Sequence, residues 1–137
     1  MEPTIEQSAN VERPPREVKK AGQFLASSLV IGLLNAIFTL VQRTTGISML
    51  VVLIIVIAFF SLLFVLVMKI AAGRNWARII WLILVLVNAP FAILAYPEAV
   101  RRSVISGTLS IIIVILQLVG TYLLFTKNSN LWFKTRK

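Results

Sequence analysis

The sequence contains no cysteine, no histidine and no aspartate, and only 14% of its residues are charged. Without cysteine and histidine it lacks disulfides, thiolate nucleophiles and the imidazole that serves many metal sites and general bases. No nucleophile–base pair, pair of neighbouring carboxylates or phosphate-binding glycine loop stands out among the remaining residues. The sequence therefore predicts a protein that is not an enzyme, with no catalytic residue, no metal site and no cofactor.

Apolar side chains make up most of what is present. Of the 137 residues, 58% are hydrophobic, which is more than soluble domains usually contain. A soluble chain of this length has too little interior to hide so much apolar surface. We therefore expect lipid to surround much of this chain.

Four apolar runs cover residues 23–41, 48–68, 77–95 and 104–125. Each approaches the roughly 20 residues that a helix needs to cross a bilayer. Strands are excluded despite many β-branched residues, because an unclosed sheet leaves backbone groups unpaired in lipid. The short connections contain Gly46, Gly73 and Pro97, and short connections join antiparallel neighbours. The predicted fold is an all-α membrane protein, with four transmembrane helices in an up-down-up-down bundle.

Polar segments flank this predicted transmembrane domain of residues 14–126. Residues 1–13 have no apolar periodicity and are predicted to be a disordered tail. Pro14 and Pro15 suit the first turn of the helix that follows. Residues 127–137 form a basic, aromatic tail.

The formal net charge of +9 has two explanations, nucleic-acid binding and membrane orientation. Eleven of the 14 basic residues fall in the two tails and the middle connection, and three fall in the other two connections. Cytoplasmic segments of membrane proteins carry such an excess of Lys and Arg. The distribution favours orientation, so we expect both termini in the cytoplasm, contact with membrane lipids and no nucleic-acid partner.

Uncharged polar residues lie inside the predicted spans, and Asn35, Asn88 and Gln117 are the amides among them. Asn35 and Asn88 each lie about 17–18 Å from the cytoplasmic ends of their spans, so a hydrogen bond between them is possible. Pro90 should bend the third span or remove one of its backbone hydrogen bonds. These residues either hold helices together or line a path for a polar solute. Packing is the simpler of the two explanations.

Small residues recur along one face of the first span. Ser28, Gly32 and Ala36 are spaced four apart, which lets another helix approach closely. That helix belongs either to the same bundle, the simpler explanation, or to a second subunit.

The middle connection combines a helix stop, a cap and interface residues. Gly73 can end the second helix and Asn75 can cap the third. Trp76 is predicted to anchor the chain at the membrane interface, while Arg74 and Arg78 contact anionic head groups.

The C-terminal tail is predicted to turn and lie against the membrane surface. Leu131, Trp132 and Phe133 supply its apolar contacts, and Lys134 is a further candidate for binding anionic lipid. Like the middle connection, this tail is also a place where a cytoplasmic partner can dock.

Three sequence segments resemble a known group of proteins. They are Pro15-x-x-Val18-Lys19-x-Ala21, Gly73-Arg74-Asn75-Trp76-Ala77-Arg78, and Leu124-Phe125 followed by Trp132-Phe133. Together they resemble small, functionally uncharacterised bacterial inner-membrane proteins that have a Gly-Arg-Asn-Trp-Ala-Arg cytoplasmic loop. The resemblance implies a bacterial origin, a four-helix fold and an inner-membrane location. It implies no activity.

Two hypotheses about function follow. The first is a non-enzymatic membrane protein that acts by contact with another membrane protein, as an accessory subunit, a regulator or an immunity-type protein. The second is a small transporter of a neutral or lipid-like substrate, which would need a homo-oligomer to surround a path. Asn35, Asn88, Pro90 and Gln117 would line that path.

Overall fold

The computed structural model describes residues 13–43 and 46–135, apart from the side chains of residues 43 and 47. These residues form five helices: α1 (Arg16–Arg43), α2 (Ile47–Ala71), α3 (Asn75–Arg102), α4 (Val104–Leu124) and α5 (Lys127–Thr135). The first four are long and apolar enough to cross a membrane, and the described ranges contain no strand. The prediction of an all-α membrane fold with four spans is confirmed. Residues 1–12 of the predicted disordered tail lie outside the described residues.

The four spanning helices pack in chain order around a ring that is loosest between α2 and α3. The closest pair is α1 and α4; α2 also packs against α1 and α3 against α4, whereas α2 and α3 touch each other little. We call the end that holds the start of α1, the α2–α3 connection and α5 the terminal end, and the opposite end the loop end. The bundle is therefore built around its first and last spanning helices.

Glycines allow this close packing. A Cβ atom on Gly120 of α4 would lie 2.6 Å from Leu25 Cδ2 and 3.4 Å from the Ala21 carbonyl oxygen, both on α1. A Cβ atom on Gly32 of α1 would lie 3.1 Å from Phe60 Cε1 and 3.9 Å from Ile113 Cδ1. The contacts of 2.6 and 3.1 Å are shorter than a Cβ atom ordinarily makes, so a side chain at either position would push its neighbour away. The Gly32 part of the small-residue face therefore meets helices of its own bundle.

In the α2–α3 connection, the prediction that Gly73 ends α2 is confirmed, whereas the prediction that Asn75 caps α3 is wrong. Gly73 has φ +82°, its N–H donates to the Ile70 carbonyl, and the Arg74 N–H donates to the Lys69 carbonyl. These bonds close α2 as a Schellman motif. Asn75 was predicted to cap α3, but Arg74 occupies the N-cap position and makes no side-chain cap. The Asn75 side chain instead accepts a hydrogen bond from Arg78.

The connection predicted at residues 96–103 is wrong. Helix α3 continues through Pro97 to Arg102, so Ser103 alone separates it from α4. A proline costs one backbone hydrogen bond, but its φ angle suits a helix. The reversal of the chain between α3 and α4 depends on Gly107. A Cβ atom at this position would lie only 2.6 Å from Val100 Cγ2, so a side chain there would force the two helices apart. In the first connection, Gly46 with φ +81° precedes α2, whereas α1 has already ended at Arg43.

The core lies mainly at the terminal end. Its most buried members include Val18, Leu25, Ile70 and Leu124, all less than 2% exposed. Towards the loop end, α2 and α3 leave large apolar side chains outside, such as Ile54 at 67% exposure. In a membrane this exposed surface is stable against lipid. The bundle is thus tightly closed at one end and open between α2 and α3 towards the other.

Candidate functional site

A buried arginine organises the terminal end. The side chain of Arg78, on the first turn of α3, is only 8% exposed. Its Nε–H donates to Asn75 Oδ1 at 2.6 Å and its Nη1–H to Asn130 Oδ1 at 2.7 Å, with a longer contact of 3.4 Å from Nη1 to the Leu124 carbonyl. Its Cζ lies 4.6 Å from the centre of the Phe133 ring. The guanidinium therefore joins α3 to the end of α4 and to α5.

This arrangement corrects two predictions. Arg78 was expected to contact anionic lipid, but the residue is buried, and its Nε and Nη1 donate to amide and carbonyl oxygens of the protein. Trp132 and Phe133 were expected on the membrane surface, but they are 6% and 1% exposed and pack into the core. The tail forms the helix α5, which places Asn130 and Phe133 on one face, three residues apart. The predicted interface contacts through Arg78 and Trp132 are therefore wrong.

Further hydrogen bonds close the same end. Trp81 Nε1–H donates to Thr121 Oγ1 at 3.1 Å between α3 and α4. Ser129, fully buried at the start of α5, donates to the Leu123 carbonyl at 2.7 Å. Arg74, Trp76 and Lys134 remain exposed, so their predicted lipid contacts stay predictions.

A cleft of about 430 Å³ lies where α2 and α3 separate, and we call it the lateral cleft. Its walls come from all four spanning helices and are mostly apolar, with Phe60 and Phe91 among the aromatic groups. The polar side chains that reach it include Asn88 and Gln117. The cleft is large enough for a small apolar ligand.

A second cavity of about 430 Å³ runs along the other side of α3, and we call it the α3–α4 groove. Asn88 and Gln117 line this groove as well, beside the small residues Ala89 and Ala92. Neither amide makes a side-chain hydrogen bond with any residue that the structure describes. Asn88 is exposed and Gln117 is half-buried. Two unpaired amides thus occupy the middle of an apolar surface.

Asn35 lies elsewhere, in a pocket of about 300 Å³ that we call the loop-end pocket. Its Oδ1 atom is buried and has no hydrogen-bond partner among the described residues, so the possible bond to Asn88 is not formed. Pro90 lines none of the three cavities. Of the four residues predicted to line a polar path, Asn88 and Gln117 therefore lie together, whereas Asn35 and Pro90 lie apart from them.

The lining of the loop-end pocket was not predicted as a group. It consists of Asn35, Thr39, Gln42, Ala99, Arg102, Ser103, Ser106 and Ser110. The available signal was helical spacing, since the α1 members recur four and three residues apart, and the three serines at and after the N-cap of α4 recur three and four apart. Both sets lie at the loop ends of α1 and α4, the most closely packed pair of helices.

Comparisons with protein-family models, curated proteins and solved structures find no match to this chain. The described residues also contain no group of three or more acidic, histidine or cysteine side chains placed to hold a metal ion.

Proposed function

We propose that this protein acts by contact with another membrane protein in a bacterial inner membrane, as a non-enzymatic accessory subunit, regulator or immunity-type protein. The supporting observation is that two amides in the α3–α4 groove, Asn88 and Gln117, have no side-chain hydrogen bond to any residue that the structure describes. They lie within helices that are long and apolar enough to cross a membrane, so lipid surrounds this surface. Lipid tails offer no hydrogen bonds to an amide.

An uncovered amide is unfavourable at this depth. Transfer of an amide from water to an alkane without a hydrogen bond costs roughly 4–8 kcal/mol. A transmembrane segment that carries a polar side chain would supply the missing bonds, and such interhelical bonds contribute about 0.6–2 kcal/mol each. Ala89 and Ala92 lie in the same groove and would let a partner backbone come close. The α3–α4 groove is thus suited to a polar partner helix.

The proposal includes the orientation predicted from charge. The terminal end carries Lys19, Lys20, Arg74, Lys127 and Lys134, and the excess of basic residues there favours a cytoplasmic location. Exposed Arg74 and Lys134 remain suited to anionic head groups, whereas Arg78 is engaged inside the protein. The choice of a bacterial inner membrane is part of the proposal and comes from the expected resemblance of the three sequence segments.

The test is purification of the full chain from native membranes in a mild detergent, with mass spectrometry of co-purifying proteins and the light-scattering mass of the complex. We expect a stoichiometric foreign membrane protein. Replacing Asn88 and Gln117 together by Leu should reduce its recovery at least about tenfold, which corresponds to 1.4 kcal/mol. Thr108→Val is the matched control, because it also removes a polar group from α4, but the Thr108 hydroxyl is already bonded to the Val104 carbonyl. Equal recovery with both variants would exclude the groove as the contact surface.

A second candidate function, a small oligomeric transporter of a neutral or lipid-like substrate, is favoured by the lateral cleft. The cleft is apolar, holds about 430 Å³ and carries both amides on its wall. The terminal end is closed around buried Arg78 and α5, so transport would require this end to open or a second copy to complete a path. A homogeneous homo-oligomer without a foreign partner would support this candidate, and Asn35 and Asn88 would then be the first residues to replace.

A further inference from the structure

The loop-end pocket is lined by two rows of uncharged polar side chains on facing helices. Asn35, Thr39 and Gln42 form the row on α1, and the second row consists of Ser103, the N-cap of α4, with Ser106 and Ser110 of α4. At 1.5 Å per residue, each row extends about 10 Å along its helix. Polar groups therefore continue from the rim of the bundle well into its apolar part.

Only some of these groups are used by the protein itself. Ser110 donates to the Ser106 carbonyl at 2.8 Å, and Ser103 accepts from the Ser106 N–H at 3.4 Å. By contrast, the side chains of Thr39 and Gln42 form no hydrogen bond within the described part of the chain. The α1 row is thus available to a ligand.

At the base of the pocket lies a hydrogen-bond acceptor that no described donor reaches. The Oδ1 atom of Asn35 is buried, and no described residue donates to it. Leaving such an acceptor unmatched costs about 1–3 kcal/mol. This atom is shielded from solvent, so a ligand hydroxyl or amine that displaced the group covering it would donate to Asn35 and remove this cost.

The electrostatics of the rim favour a neutral ligand. Arg102 is the only charged residue that lines the described pocket, and its Nη2 lies 2.6 Å from Glu98 Oε1. The carboxylate balances the guanidinium, so a bound anion would compete with Glu98. An apolar ligand would leave the Asn35 acceptor unmatched.

We propose that the loop-end pocket binds a neutral, hydroxyl-rich group, either a polyol in solution or the head group of a lipid. A hydroxyl both donates and accepts, so one chemical group satisfies amide and hydroxyl side chains alike. The volume of about 300 Å³ matches the lower end of the range for small-ligand sites. Ser110 lines both this pocket and the α3–α4 groove, but the two amides of the proposed contact surface, Asn88 and Gln117, do not line the pocket.

The experiment uses the full chain in nanodiscs of phosphatidylcholine, whose head group has no hydrogen-bond donor. Sugar-headed detergents are avoided because they would compete for the pocket. In one arm, saturation-transfer NMR compares glycerol and inositol with betaine, a small solute that lacks a donor. In the other, native mass spectrometry compares retention of a monohexosyl diacylglycerol with that of phosphatidylcholine of the same acyl chains. Preference for the hydroxyl probe in either arm supports the proposal, and the arm in which it occurs identifies the source.

Matched substitutions locate the binding. Thr39→Val is paired with Thr108→Val, and Gln42→Leu with Gln23→Leu, which lies on the same helix at the other end of the bundle. We expect each pocket variant to weaken binding roughly fivefold and Asn35→Leu roughly tenfold, with the controls unchanged. Gln42 is exposed, so its variant tests the site even if Asn35→Leu disturbs the fold. Equal binding by pocket and control variants, or no preference for hydroxyl probes in both arms, would overturn the proposal.

Discussion

Replacing Arg78 by Leu should release α5 from the bundle. The change removes two short hydrogen bonds, of 2.6 Å to Asn75 and 2.7 Å to Asn130, and a ring contact of 4.6 Å to Phe133. Asn75 is exposed, so water can replace most of its lost bond. The bond to Asn130 holds α5 directly, and its loss leaves an amide oxygen in a partly buried site.

The expected size of the effect follows from these contacts. A hydrogen bond to a charged group contributes about 1.5–3 kcal/mol, and a cation–π contact about 0.5–1 kcal/mol. The loss of both raises the free energy of α5 docking by roughly 2–4 kcal/mol, which corresponds to about a 30- to 700-fold larger opening constant. Arg78→Lys keeps the positive charge but loses the planar guanidinium that makes several hydrogen bonds at once. The opening constant of α5 in this variant should therefore lie between those of Arg78→Leu and the unchanged protein.

Hydrogen exchange of the α5 backbone amides measures this opening constant. The matched control is Arg74→Leu, which removes the same charge from an exposed position one turn earlier. We expect fast exchange throughout Lys127–Thr135 in Arg78→Leu and unchanged exchange in Arg74→Leu. Equal exchange of α5 in the two variants would show that Arg78 does not hold α5 against the bundle.

Two further predictions concern helix packing, and both use the free energy of unfolding measured in mild detergent. Gly120→Ala should destabilise the bundle by about 1–3 kcal/mol, because its Cβ would lie 2.6 Å from Leu25 Cδ2; Gly22→Ala, whose Cβ meets nothing within 4 Å, should not. Equal effects would contradict the close α1–α4 approach. Trp81→Phe and Thr121→Val should each cost about 0.5–1.5 kcal/mol, and the double variant less than their sum, because they share one hydrogen bond. Strict additivity would contradict that bond.

Much of the fold followed from local features of the sequence. Apolar run length predicts the four spans because backbone groups in lipid must pair within their own helix. Gly73 predicts the end of α2 because a residue at φ +82° is unstrained only when it lacks a side chain. The prediction of the third connection was wrong because Pro97 is compatible with either a turn or a helix. Only the residues packed around it determine which of the two forms.

Hydropathy along the chain is sufficient to predict a four-span helical membrane protein and the residue types at depth. Which of those residues meet depends on how the helices pack. From its place in the sequence, Arg78 is predicted to be a cation at the membrane surface. In the fold, α5 places Asn130 and Phe133 beside it, although both are more than fifty positions away in the sequence. Asn35 and Asn88 were expected at the same depth, but Asn35 lies in the loop-end pocket and Asn88 beside Gln117 in the lateral cleft, because α1 pairs with α4 and not with α3. Hydropathy is a property of one segment, whereas hydrogen-bond partners depend on helix rotation and packing order, which arise only when all segments are assembled.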